Sequence, residues 1–347
     1  MSHYLAGDIG GTKTRLAVVE VNGTHVQIVH ETSYRSRDYA TFEELLEDFL
    51  SRAKIILSPR SSLLAGESGQ IRIHHAAFGI AGPVLGKVVK TTNLPWHIDA
   101  DALQHRFGFP QCTLLNDLEA TAYGIQALGE DDLFTLQPGA QDASGNAAVI
   151  AAGTGLGEAG LFWDGRYHRP FATEGGHASF SPGNEMDMAL LRHLLQQHQH
   201  ISWERIVSGM GLLSLHEFLC MYRHAAAPQW LVEKMHNGDA AAAIAKAALA
   251  GRDDICVETL NWFVRLYGAE AGNLALKVMS RGGMYLGGGI APKILPILQN
   301  GAFLDAFLDK GRMRRLLQAI PVKVIMNDRA ALFGPALRAA QLEREAS

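Results

Sequence analysis

The stretch Gly7-Asp8-Ile9-Gly10-Gly11-Thr12-Lys13-Thr14-Arg15 lies between two apolar runs, Tyr4-Leu5-Ala6 before it and Leu16-Ala17-Val18-Val19 after it. That pattern reads as strand, tight turn, strand, and commits the start of the chain to a sheet. The paired glycines permit positive φ in the turn and leave its N–H groups uncovered. Thr12 and Thr14 add hydroxyls, and Asp8 adds one carboxylate at the end of the first strand. Uncovered N–H groups and hydroxyls suit phosphate oxygens, and a nearby carboxylate suits a hydrated Mg²⁺. Taken alone, the same residues make an ordinary Gly-Gly hairpin equally well.

The layout returns further along. Ala147 to Ala152 form an apolar run that passes straight into Gly153-Thr154-Gly155-Leu156-Gly157, and a second strand follows to about residue 163. Two such beginnings predict a duplicated α/β domain with a cleft between the copies. A chain of 347 residues, 48% of them hydrophobic and 19% charged, can supply two cores. Between these landmarks the pattern predicts a third strand over 26–31. Thr41-Phe42-Glu43-Glu44 fits a capping box ahead of Leu45, Leu46, Phe49, Leu50, Ala53 and Ile56 at helical spacing. A loop is expected over 58–70, a buried strand over 71–80, a helix capped by Asp99, a strand over 113–115 and a helix over 118–128. Trp163-Asp164-Gly165-Arg166 signals a two-residue hairpin. The segment 186–280 reads as helix-rich, followed by strands at 284–286 and 321–326 and a helix over 330–345.

Charge and cysteine content narrow the function. The net charge is −4, from 31 Lys+Arg and 35 Asp+Glu, which gives no reason to expect nucleic acid or an acidic membrane as partner. Cys112, Cys220 and Cys256 are far apart and odd in number, which fits neither a disulfide framework nor a zinc spacing and points to a reducing compartment. The motif begins within seven residues of the first, leaving no room for a signal peptide, and no apolar run nears the roughly 18 to 20 residues that span a bilayer. A cytoplasmic protein is expected.

Three glycine-rich turns follow three apolar strands, at 7–12, 153–157 and 287–289. Counting removes two familiar fingerprints. Lys13-Thr14 is preceded by Thr12 where Walker A needs glycine, and the dinucleotide pattern starting at Gly153 meets Glu158 where it needs glycine. A nucleotide held by separate turns on two domains remains. Asn116-Asp117 ends the strand at 113–115, where both side chains can point into a cleft. Either could be the helix N-cap: a capping Asp117 would be a poor base, whereas a capping Asn116 would release it for chemistry. A third cluster, Glu174-Gly175-Gly176-His177 with Glu204 in Ser202-Trp203-Glu204-Arg205, pairs carboxylates and an imidazole in a set suited to vicinal hydroxyls.

In this order, Gly7-Asp8-Ile9-Gly10-Gly11-Thr12, Leu115-Asn116-Asp117, Gly153-Thr154-Gly155-Leu156-Gly157, Glu174-Gly175-Gly176-His177, Glu204-Arg205-Ile206-Val207-Ser208-Gly209 and Gly287-Gly288-Gly289-Ile290-Ala291-Pro292 resemble the bacterial glucokinase family. That family lies within the sugar kinase, actin and chaperone-ATPase superfamily, and the resemblance runs from Tyr4 to about Leu337. It implies a two-domain actin-like ATPase (ribonuclease H-like) fold with an interdomain cleft. The smaller α/β domain would take 1–110 plus 329–347, and the larger, with a helical insertion, 111–328. It implies ATP-dependent phosphorylation of D-glucose at the 6-hydroxyl. Asp8 would orient Mg²⁺ through water, and Gly10, Gly11 and Thr12 would hold phosphates. Thr154 and Gly155 would form the second phosphate loop, while Gly288 and Gly289 would line the adenosine. Asn93, Asn116, Asp117, Glu174, His177 and Glu204 would bind the sugar, with Asp117 as base. A homodimer is typical of similar proteins. The related repressor/open-reading-frame/kinase proteins carry a cysteine-rich zinc motif after Glu-Gly-Gly-His; residues 178–200 hold no cysteine, so no structural zinc is expected there. No DNA-binding domain is expected before residue 7. The same fold also serves kinases for fructose, mannose or N-acetylhexosamines, and ATP-binding chaperone-like modules.

Overall fold

The computed structural model describes residues 2–53, 55–56, 71–82, 84, 86–91 and 94–346. The chain divides into two compact units, Met1–Gly129 with Asn327–Ser347, and Glu130–Met326. The sequence puts its divisions at 110/111 and 328/329 instead. The first difference has a definite source: the strand that follows residue 110 pairs with the sheet of the first unit.

That sheet holds β1 (His3–Ile9), β2 (Lys13–Asn22), β3 (His25–Arg35), β4 (Ile55–Ile56), β5 (Ile71–Ile80) and β8 (Cys112–Asn116); a separate pair comprises β6 (Val88–Lys90) and β7 (His97–Asp99). β1, β2 and β3 form an antiparallel meander, and β5 pairs parallel with β1 on one side and with β8. Alternation along β1 sorts its side chains to two faces. Leu5 and Ile9 join a core with Phe42, Leu45, Leu46 and Phe49 of α1 (Phe42–Arg52) and Leu103 and Phe107 of α2 (Ala100–Phe107). Tyr4 and Ala6 turn the other way, onto Leu332, Ala336, Ala339 and Ala340 of the C-terminal helix, Ala330–Ala346. α3 (Asp117–Gly124) crosses that helix at glycines: a Cβ on Gly124 would stand 1.9 Å from the Ala330 carbonyl oxygen, and one on Gly334 1.7 Å from that of Ala120.

The second unit repeats the scheme. β10 (Ala147–Ala152), β11 (Leu156–Trp163) and β12 (His168–Thr173) are the antiparallel meander, β13 (Gly283–Gly287) and β14 (Val322–Ile325) continue parallel from β10, and β9 (Leu133–Gln137) closes the edge antiparallel to β14. The order β12-β11-β10-β13-β14 matches β3-β2-β1-β5-β8 of the first unit. The duplication expected from residues 4–21 and 147–163 is present. α4 (Glu185–Leu194), α5 (Gly209–Tyr222), α6 (Gln229–His236), α7 (Ala240–Leu249) and the long α8 (Asp254–Val278) form the helix-rich segment. Ala148, Ile150 and Ala152 of β10 share its core with α8, and Tyr267 Oη donates to the Ile150 carbonyl at 3.0 Å.

Several local expectations need correction. The glycines with left-handed backbone do not include Gly10 or Gly11, so the first turn needs no positive φ at either. The hairpin after Trp163 has four loop residues, since Trp163 faces His168 and Asp164 N donates to the Tyr167 carbonyl at 3.2 Å. Asp164 makes this loop by accepting from the N–H groups of Arg166 and Tyr167. The helix expected over 118–128 ends at Gly124 and tightens to a 3₁₀ turn over Ile125–Ala127. Thr41 caps α1, but Glu44 reaches Ala40 N rather than Thr41 N, leaving the capping box half made. The third strand is longer than 26–31. The expected loop over 58–70 lies outside the described residues.

Candidate active site

Parallel strands bring their carboxyl ends together, and ligands of open α/β sheets bind there. In the first unit Asp8 pairs in register with Gly79 and Ile80 with Asn116, so β1, β5 and β8 end side by side. The loop between β1 and β2 is Gly10-Gly11-Thr12. It is tied at its base by Gly10 N donating to the Lys13 carbonyl at 3.0 Å, and from the side by Ser36, whose Oγ donates to the Gly10 carbonyl at 2.7 Å. Thr14 Oγ1 lies 2.9 Å from that same hydroxyl. Thr14 is therefore buried and spent on holding the turn, leaving Thr12 exposed. Asp8 leans towards Arg15, whose Nη2 donates to Oδ2 at 3.0 Å and whose Nη1 reaches Asp328 Oδ2 at 3.0 Å.

The helix after β8 resolves which residue caps it. Asn116 is the N-cap: its Oδ1 accepts from Leu118 N at 2.9 Å and more weakly from Glu119 N at 3.4 Å, and its Nδ2 donates to the Gly82 carbonyl at 3.1 Å. Asp117 is the first helical residue, half-buried, with Oδ1 accepting from Leu118 N at 2.9 Å.

In the second unit, the strand ends of β10 and β13 carry the other two turns. Gly153 N donates to the Gly155 carbonyl at 2.8 Å, closing a tight loop around Thr154. Gly288 has φ +79°, and a Cβ there would stand 2.4 Å from the Ala152 carbonyl oxygen, so only glycine fits. Thr154 and Gly289 line one cavity of about 620 Å³ together with Gly209, Met210, Asp239, Ala241 and Lys293. Its wall includes the start of α5, where Gly209 N donates to the Gly153 carbonyl at 2.8 Å, and the start of α7. Sequence reading missed Met210, Asp239, Ala241 and Lys293, which come from three separate elements. Ser208-Gly-Met-Gly and Asp239-Ala as helix starts were the available signal, since Ser208 and Asp239 both cap their helices.

Glu174, His177 and Glu204 converge in the same unit. Glu204 N donates to the Gly176 carbonyl at 2.8 Å, drawing Glu204 alongside the Glu174–His177 turn. His177 Nδ1 is 3.9 Å from Glu204 Oε1 and its Nε2 3.8 Å from Glu174 Oε2. Glu204 has a second role: Oε2 accepts from Leu156 N at 3.1 Å, and a Cβ on Gly155 would lie 2.3 Å from it. One side chain thus spans the glycine turn and the Glu174–His177 turn. Glu174 and His177 side chains are 66% and 62% exposed, whereas Glu204 is 25% exposed. Asn116 and Asp117 belong to the first unit, and Glu174, His177 and Glu204 to the second. Asn93 lies outside the described residues.

For a metal, the hard-oxygen donor of the first turn is Asp8; committing one oxygen to Arg15 leaves a carboxylate fit to hold a hydrated cation rather than to wrap a bare one. Among the described residues one group, buried His216 and Cys256 with half-buried Asp253, brings three donors of metal-ligating type within 4.8 Å of one another. These donors already serve one another. Asp253 Oδ1 accepts from Cys256 N at 2.8 Å, its carboxylate also takes the Cys256 thiol, and Cys220 Sγ sits 3.8 Å from His216 Nε2. Burial, with Asp253 adding to it, pushes the Cys256 thiol up to about 12, as suits a hydrogen-bonded core patch.

The family model described as glucokinase matches residues 5–342. The glucokinase of Trichormus variabilis is 42% identical over 356 aligned residues, spanning 99% of this chain and 100% of that protein. The crystal structure of a glucokinase from an Antarctic psychrotroph superposes with a TM-score of 0.82 at 28% identity, over 98% of this chain and 99% of that one. A glucokinase of the repressor/open-reading-frame/kinase family from Streptomyces griseus, solved with glucose and AMPPNP, shares the fold at a TM-score of 0.62 and 22% identity, covering 98% and 100% of the two chains. No helix among the described residues is long and apolar enough to cross a membrane. With two copies of one sheet order, glycine turns at matching strand ends and a match over nearly the whole length, the chain has the two-domain actin-like ATPase fold and belongs to the glucokinase family.

Proposed function

We infer that the chain catalyses ATP-dependent phosphorylation of D-glucose at the 6-hydroxyl, giving glucose 6-phosphate, the first step of glycolysis. The single observation that carries this is Glu204, which accepts from Leu156 N in the glycine turn and faces His177 in the hydroxyl-binding cluster. Donor and acceptor subsites sharing a residue is what transfer between a nucleotide and a polyol requires.

Each group then has a task. Gly10, Gly11, Thr12, Thr154 and Gly155 offer backbone N–H and hydroxyl donors to phosphate oxygens. The cavity beside Gly288 and Gly289, with apolar Met210 and Ala241 in its wall, takes the adenosine. Glu174, His177, Glu204, Asn93 and Asn116 orient the sugar, and Asp117 accepts the proton of the 6-hydroxyl as it attacks the γ-phosphorus. Asp8 would hold Mg²⁺ through water; the ion, when bound, neutralises phosphate charge. Bulk water has to be kept from the transferred phosphoryl group, since it would otherwise compete as acceptor. A homodimer in the cytoplasm completes the proposal.

A panel of glucose, fructose, mannose and N-acetylglucosamine, assayed for ADP release with ATP and with polyphosphate as donors, tests it. Glucose with ATP should give the highest kcat/KM. Turnover of ATP unaffected by any sugar would reject the kinase reading, and a preference for another hexose would replace glucose.

A further inference from the structure

Beneath the sugar-binding turn lies a buried acid that the reaction does not use. Glu158, in β11, is 2% exposed, and its carboxyl passes directly under Gly175: a Cβ built there would stand 2.0 Å from Glu158 Oε2 and 2.8 Å from Cδ. Thr173, at the end of β12, donates through Oγ1 to the Glu158 carbonyl at 2.9 Å and receives Gly175 N at 3.2 Å, so backbone and side chain of Glu158 both brace the segment. Deeper in, the carboxyl meets that of Glu270 on α8, which is fully buried. Two carboxylates in contact at so buried a place are not both ionised, and one proton lies on the pair.

Their partners decide where it sits. Glu270 accepts from Asn273 Nδ2 at 2.8 Å and pairs with Lys277 Nζ at 3.3 Å, and Asn273 Oδ1 in turn takes Lys310 Nζ at 2.8 Å. Glu158 has none of these donors, and its Oε1 is buried with no partner among the described residues. Burial raises the Glu270 carboxyl as well, but Asn273 and Lys277 oppose that rise, whereas contact with Glu270 adds to the rise of Glu158; the charge therefore stays on Glu270 and the proton on Glu158. We propose that Glu158, as the neutral acid, is a positioning residue for the glucose site, fixing the backbone that carries Glu174 and His177. This rests on the reading of those two residues as sugar ligands.

The remaining titratable groups around it are Tyr267 and Lys277 of α8, Lys310 behind Glu270, and Glu174 and His177 of the turn itself. Burial, with Glu270 adding to it and Lys277 opposing, pushes the Glu158 carboxyl up to about 8. Above that pH a second negative charge forms against Glu270 and under Gly175, and the turn has to move to let it reach water. If only the protonated form binds glucose, apparent affinity falls with its population, so KM for glucose rises about tenfold from pH 7 to 9.

The experiment measures KM for glucose and for ATP from pH 6.5 to 9 in wild type, Glu158→Gln, Glu270→Gln and His177→Ala. Glu158→Gln keeps the neutral shape, so its glucose KM should stay level within about twofold across that range. Glu270→Gln removes the neighbouring charge and should move the rise to lower pH. ATP KM should change much less in each. A level wild-type profile, or the same rise in Glu158→Gln, overturns the inference. Should Glu158→Gln fail to fold, the direction of the Glu270→Gln shift decides. His177→Ala separates the two readings: if it leaves glucose KM unchanged at pH 7, the sugar-site assignment fails, whereas a large increase with a level wild-type profile sinks only the role of Glu158.

Discussion

Asn116 and Asp117 are adjacent, yet their geometry assigns them opposite failures. Asn116→Ala removes the N-cap of α3, worth typically about 1 kcal/mol, and the 3.1 Å bond from Nδ2 to Gly82, worth about another 1 kcal/mol. A loss of about 2 kcal/mol should lower Tm by roughly 4–8 °C for a unit of this size. Asp117→Asn leaves that cap intact and keeps an oxygen for Leu118 N, so its stability should stay within about 0.5 kcal/mol of wild type. Its chemistry should not survive as well. Losing a general base lowers kcat about 10²- to 10⁴-fold, or roughly 3–5 kcal/mol of transition-state stabilisation. Calorimetric melting of both variants, glucose titration by calorimetry and kcat at saturating substrates make the comparison. Asp117→Asn should bind glucose nearly normally, melt normally and turn over slowly. Turnover within tenfold of wild type would refute Asp117 as base, and a normal Tm in Asn116→Ala would refute the cap.

Further outcomes follow from single contacts. Gly155→Ala places a Cβ 2.3 Å from Glu204 Oε2 and, by displacing that shared side chain, should raise KM for ATP and glucose together. Gly288→Ala forces a left-handed φ of +79° and a 2.4 Å contact onto alanine, and should weaken ATP binding with little change for glucose, read by separate titrations. Gly334→Ala drives a Cβ to 1.7 Å from the Ala120 carbonyl and should destabilise the first unit by about 1–3 kcal/mol, seen as early loss of hydrogen-exchange protection in β1 and β2 while β10 keeps its own. The buried proton of Glu158 also links stability to pH. Folding raises its pKa from 4.5 to about 8, so the unfolded chain binds fewer protons between those values, and stability should fall as pH rises through that window and level off above it. Glu158→Gln should abolish that slope in denaturant titrations run from pH 5 to 9.

Much of this molecule is written locally in its sequence. Strand–turn–strand patterns at 4–21 and 147–163 announced the duplicated sheets because alternation and glycine placement are short-range signals. Asp99 and Thr41 announced their helices for the same reason. Asn116 against Asp117 stayed open, because both are good caps and only the backbone of the preceding strand determines which one is non-helical. Where contacts join distant segments the sequence was silent. Nothing in the sequence marks Gly124 and Gly334, and their purpose shows only where α3 and the C-terminal helix cross. Met210, Asp239 and Lys293 become one cavity wall only through the packing of α5 and α7 against the strand ends. Glu158 looked like a break in a dinucleotide pattern, and the partner that explains it sits on α8.

The second unit is spliced into the first between Gly129 and Asn327, and its two ends are zipped together where β9 pairs with β14 and Met326 N donates to the Asp132 carbonyl at 2.8 Å. This threading sets an order on synthesis. The face formed by Tyr4, Ala6, Ala17 and Val19 is made first, yet its cover of Leu332, Ala336 and Ala339 is made last. At about 5–20 residues per second, that face waits roughly 10–40 s on the ribosome while the inserted unit is translated. The inserted unit faces no such delay, since its first and last strands meet and it can close as soon as it is released. The nascent first unit is therefore the part that needs shielding by a chaperone, and a stop codon ahead of residue 330 would leave it exposed for good.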